Sequence, residues 1–93
     1  MRLSDEEKTV IRNSILQADP EASVLLFGSR VNDAAKGGDI DLLCFSKIID
    51  RPQKRALRRK LSDGLGGQRV DFLVEQDERK PFVKLILEEA RPL

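Results

Sequence analysis

The chain has no histidine, no tryptophan, no tyrosine and a single cysteine among its 93 residues. Without histidine, and with one thiol, an ordinary zinc site or a histidine-based nucleophilic triad is excluded. Cys44 has no partner within the chain, which rules out an internal disulfide framework and fits a reducing compartment. Charge of one sign is also missing. Seventeen Lys and Arg stand against sixteen Asp and Glu, and a net charge of +1 exerts no global pull toward nucleic acid or membrane. No apolar run approaches the roughly 18 residues needed to span a bilayer, and the opening MRLSDEEKTV is charged too early for a signal peptide. The expectation is a soluble cytoplasmic protein in which residues 1–93 form one domain, with a core adequate but not generous for its length.

What is present is a readable alternation of elements. Leu3, Val10, Ile11, Ile15 and Ala18 fall on one helical stripe, and Ser4 with Glu7 reads as a capping box, so a first helix is expected over about 4–18. Turn chemistry at Asp19–Pro20–Glu21–Ala22–Ser23 leads to a short buried strand over 24–27. A second strand is expected over 39–45, with Asp39, Asp41, Leu43 and Phe45 on one face and Ile40, Leu42 and Cys44 on the other. Asp50 as N-cap, Pro52 in the first turn and a Leu57, Leu61, Leu65 stripe predict a helix over 51–65, ended by glycines 64, 66 and 67.

A third strand over 69–75 places Asp71 and Leu73 opposite Val70, Phe72 and Val74. A final helix near Pro81 is expected to turn Phe82, Val83, Ile86, Leu87 and Ala90 inward and to leave Leu85 outside. The resulting fold class is α/β (α+β): a small mixed three-stranded sheet flanked by helices. Strands two and three, joined by a helix, can lie parallel, whereas the shorter link between one and two permits an antiparallel pair.

In that arrangement Gly28–Ser29, Asp39, Asp41 and Asp71 converge on one edge. Taken alone, Asp39 and Asp41 also suit a solvated strand start, or a cap on the Gly37–Gly38 turn, and Asp71 suits an exposed edge position. Together, three clustered carboxylates repel one another, and a divalent cation relieves that repulsion. Oxygen-only ligation points to a hard ion, Mg²⁺ or Mn²⁺, and two such ions about 4 Å apart would activate a hydroxyl and stabilise a departing pyrophosphate. Gly28 lets the chain turn sharply toward an anion, and the Ser29 hydroxyl can donate to a phosphate oxygen. Metal-dependent phosphoryl transfer is the chemistry expected of such a set.

Gly28–Ser29, nine intervening residues, Asp39–Ile40–Asp41 and a later strand carrying Asp71 form a pattern similar to that of the DNA polymerase β-like nucleotidyltransferase superfamily. More narrowly, residues 10–90 resemble the small minimal nucleotidyltransferase (MNT) proteins, implying a polymerase β palm-like core. The resemblance implies that Gly28 and Ser29 hold the triphosphate of ATP, with Arg30 as a further phosphate contact. It implies that Asp39 and Asp41 ligate the metal ions, and that Asp71 completes the site and helps deprotonate the acceptor hydroxyl. It also implies a partner, a HEPN-domain toxin, toward which the chain acts as antitoxin, by adenylylation in some members. A non-catalytic antitoxin that masks its partner stoichiometrically is the alternative.

Two further features have bland explanations. RPQKRALRRK (51–60) carries six basic residues, which suit a solvated helix face. No aromatics interleave them for base stacking, so nucleic acid is not expected as a direct ligand. Cys44 reads as a packed core residue with no activating neighbour.

Overall fold

A computed structural model describes residues 3–31 and 39–93, with the side chain of Ser29 excepted. Helix α1 (Asp5–Ala18) starts where the sequence pattern places it. The Ser4 hydroxyl accepts from the Glu7 amide and the Glu7 carboxylate accepts from the Ser4 amide, so two backbone donors at the helix start are satisfied. Helix α2 (Arg51–Gly64) begins with the same device, built from Asp50 and Gln53, with Pro52 in its first turn. Gly66 and Gly67 follow α2 with φ of 73° and 82°, a left-handed backbone that a side chain disfavours.

Three strands match expectation to within a residue: β1 (Ser23–Phe27), β2 (Ile40–Phe45) and β3 (Val70–Glu75). β2 is central, antiparallel to β1 and parallel to β3. The sheet has four strands rather than three. The last residues form β4 (Arg91–Pro92), antiparallel to β1, and the order is β3-β2-β1-β4. Two residues ending in proline carry no strand signature. Their extended form follows from docking against β1, where the Leu93 amide also donates to the Val24 carbonyl.

The final helix is shorter than its apolar pattern implies. α3 (Pro81–Leu87) buries Val83, whereas Phe82 is 43% exposed and Ala90 is buried beyond the helix end. Leu85, at 65% exposed, lies outward as expected. A seven-residue helix makes only two turns, and one inward position satisfies it.

The core lies between one face of the sheet and helices α1 and α2. Leu26, Ile40, Leu42, Cys44, Val70 and Phe72 meet Ile11, Ile15, Leu57, Leu61 and Leu65 there. On the opposite face the strand register sets side chains in rows, Leu25–Leu43–Leu73 and, nearer the edge, Phe27–Asp41–Asp71. Leu43 is fully buried on that face, so β2 is apolar on both sides through its middle and turns acidic only at its start.

Candidate active site

β1 ends in a short 3₁₀ turn, Gly28–Val31, whose first residue has φ of 74°. Glycine is required here twice over. The left-handed backbone disfavours a side chain, and a β-carbon at position 28 would run into the Asp41 carboxylate. The turn therefore lies directly against the second acid of Asp39–Ile40–Asp41.

Asp41 and Asp71 are register partners on adjacent parallel strands, and so project from the same face of the sheet. Asp39 immediately precedes β2 on that edge, where the Ile40 amide donates to the Arg69 carbonyl. The sheet thus places all three acids at the starts of β2 and β3, beside the turn that leaves β1. The electrostatics agree with that proximity. Burial pushes the Asp41 carboxyl up from 3.8 to about 6, helped by the hydrogen bond that its protonated form donates to Asp71 and by the charges of Asp71 and Asp39.

A countercharge that sequence reasoning missed stands among them. Arg69 Nε lies 3.5 Å from Asp39 Oδ2 and 3.9 Å from Asp71 Oδ1, on a side chain that is 75% exposed. Its position two residues before Asp71 puts it on the same face, so period-two alternation contained the signal. Among the described residues no group of three or more Asp, Glu, His or Cys side chains is disposed to hold a metal ion as it stands. Asp41 and Asp71 face each other while Asp39 is turned toward Arg69.

Arg30 takes a different direction. Its Nη2 donates to Gln68 Oε1 at 2.6 Å, and Gln68 Nε2 donates to Glu7 Oε2 at 2.9 Å. Glu7 belongs to α1, so this link lies on the helix-covered side of the sheet, behind the acidic row. The Ser29 hydroxyl, assigned to phosphate by the sequence pattern, lies outside the described side chains, as does the Gly37–Gly38 turn.

The side chains of Asp39 and Asp71 are 42% and 49% exposed at this end of the sheet. A groove of about 660 Å³ lies at the other end of the sheet, lined by residues including Ser46, Asp50, Arg51, Lys54, Glu75 and Lys80. It holds no part of the acidic row. Among the described residues no helix is long and apolar enough to cross a membrane.

An edge that opposes an acidic pair to a glycine turn, with the pair on parallel register partners, is a place to bring a polyanion and a cation together. Comparison with known proteins points the same way. No curated protein matches the chain. The nucleotidyltransferase domain profile, however, matches residues 9–93, which takes in the glycine turn, all three acids and every strand. The chain belongs to the nucleotidyltransferase domain family.

Proposed function

We propose that this nucleotidyltransferase uses a divalent cation, Mg²⁺ or Mn²⁺, to move a nucleoside monophosphate, AMP from ATP, onto a hydroxyl of a partner protein. The observation that carries the reading is the register pair Asp41–Asp71 set against Gly28. The donor set fits a hard ion, because every ligating atom is a carboxylate oxygen and the charges of Asp71 and Asp39 help to raise the Asp41 carboxyl. Asp39, Asp41 and Asp71 would hold it. A bound ion, or two as in many phosphoryl-transfer sites, supplies charge neutralisation for the phosphates and acidifies the acceptor.

The chain's own residues do the remainder. The Gly28–Ser29 turn receives the triphosphate, its backbone amides brought close by the absence of a side chain at position 28. Asp71, on the exposed edge strand, takes the proton of the acceptor hydroxyl. The acceptor oxygen then bonds to the α-phosphorus, the bond from that phosphorus to the bridging oxygen breaks, and pyrophosphate leaves. The partly exposed carboxylates of Asp39 and Asp71 suit an acceptor presented by another protein. On the family resemblance that protein is a HEPN-domain toxin, with this chain as its MNT-type antitoxin.

A second reading, stoichiometric masking without transfer, has one observation in its favour. Phe82 and Leu85 of α3 are exposed apolar side chains. Incubation with ATP labelled at the α-phosphate, Mg²⁺ and the product of the neighbouring gene decides between the two. Label on the partner, reduced at least about a hundredfold in Asp41→Asn, is the result expected of transfer. Full neutralisation by an Asp39→Asn/Asp41→Asn protein without any labelling would leave masking as the function.

A further inference from the structure

The Arg30–Gln68–Glu7 chain spans the molecule in a way the acidic edge does not explain. β1 and β3 flank β2, so a bond from Arg30, just after β1, to Gln68, just before β3, crosses the mouth of the central strand. Every atom of the Gln68 amide is committed. Nε2 donates to Glu7 Oε2 and to the Leu65 carbonyl, each at 2.9 Å, and Oε1 accepts from Arg30. Two of those partners can only accept and the guanidinium can only donate, so a single orientation of the amide satisfies all three. The Gln68 backbone is fixed as well, its carbonyl accepting from the Ser62 hydroxyl at 2.7 Å.

The far end of the chain is equally anchored. Glu7 Oε1 accepts from the Ser4 amide at the start of α1. The Glu7 carboxyl is held below its ordinary value, first by the Ser4 backbone, then by Gln68, with Arg30 contributing its charge. Arg30 is part of the same 3₁₀ turn as Gly28 and is two residues away from it.

From this we infer that Gln68 is a positioning residue. Through the Arg30 guanidinium it ties the Gly28–Ser29 turn to α1 and to the start of β3, and so fixes the turn's amides relative to Asp41. The inference rests on the reading of that turn as the seat of the nucleotide's phosphates, and it gives Arg30 a part that acts from behind the turn. A charge-assisted hydrogen bond of this kind contributes enough that its loss is read as roughly a tenfold change.

The test has two arms. In nucleotide-free protein, Gln68→Leu should speed amide hydrogen exchange at residues 28–31 about tenfold while the central amides of α1 and β2 keep their protection. The same variant should weaken binding of a non-hydrolysable ATP analogue with Mg²⁺ about tenfold, with no further loss when Gln68→Leu is added to Arg30→Ala. Should Gln68→Leu fail to fold, Arg30→Ala alone, which leaves Gln68 bonded to Glu7, carries both measurements. Unchanged exchange at 28–31 overturns the inference. So does faster exchange with unchanged analogue affinity, because a purely structural clasp would lower thermal stability and leave binding alone. Wild-type protein that binds no analogue defeats the nucleotide reading itself, and is recognised before any variant is made.

Discussion

The two ends of β2 each bring carboxylates under partial cover, and they treat them in opposite ways. At the far end Asp19 is only 5% exposed, yet the chain supplies what its oxygens need. The Ser46 hydroxyl donates to Oδ2 at 2.6 Å and the Glu21 amide to Oδ1 at 2.9 Å. Ser46 in turn accepts from the amides of Ile48 and Ile49, and its own amide donates to the Glu75 carbonyl. At the near end Asp41 is offered further acids, and Arg69 serves Asp39 and Asp71 from solvent. A carboxylate surrounded by donors completes a fold. One set beside its own kind resists ionisation, and the raised Asp41 carboxyl records that resistance.

That contrast can be broken most forcefully at Gly28. Gly28→Ala imposes a left-handed alanine and drives its β-carbon into Asp41, so stability should fall by about 3 kcal/mol, measured as the shift in urea midpoint at fixed slope. An unchanged midpoint would mean the turn is not held against the acid. Next comes a matched pair. Asp19→Ala strands the Ser46 hydroxyl and the Glu21 amide, and should cost about 2 kcal/mol. Asp41→Asn should be neutral or stabilising at pH 7, because it removes one of three like charges. Equal losses at the two positions would erase the distinction between the ends.

A pH series sharpens the comparison further. The folded carboxyl of Asp41 sits near 6, above its ordinary 3.8, so between those values the native state binds more protons than the unfolded one. Its contribution is therefore intact at acid pH and is lost as pH rises through about 4 to 6. Cation-free protein should show that decline in chemical denaturation, and millimolar Mg²⁺ should flatten it. The same decline in Asp41→Asn would assign it elsewhere. The smallest effect concerns Cys44, fully buried, its thiol pushed up to about 12 chiefly by burial, with the Asp19 charge adding to it. A thiol reagent at pH 8 should leave folded protein unmodified and react on unfolding. Rapid modification of the native state would contradict that burial.

How much of this was legible beforehand depends on the range of the interactions involved. The helix starts at Ser4 and Asp50 rest on contacts three residues apart, so the capping residues announce them. The pairing of β2 with β3 follows from a helical crossover, and period-two alternation places Asp71 on the face of Asp41. β4 was not legible, since Arg91–Pro92 has no strand pattern and is extended only because β1 has an edge to cover. The apolar run places Phe82 inward, but the short α3 buries Val83 and leaves Phe82 43% exposed.

Composition and spacing by themselves determined the class of fold, the starts of α1 and α2, and the acids and glycine that gather at one sheet edge. Those properties are set by neighbours a few residues apart or by strand periodicity, which the linear order contains. Tertiary structure alone decided that the Asp41 carboxyl is pressed between Gly28 and Asp71, that Arg69 answers Asp39, and that Gln68 bridges Arg30 to Glu7. Glu7 and Gln68 stand 61 residues apart, and only the folded sheet with a helix across its face brings a donor and an acceptor so separated within 2.9 Å.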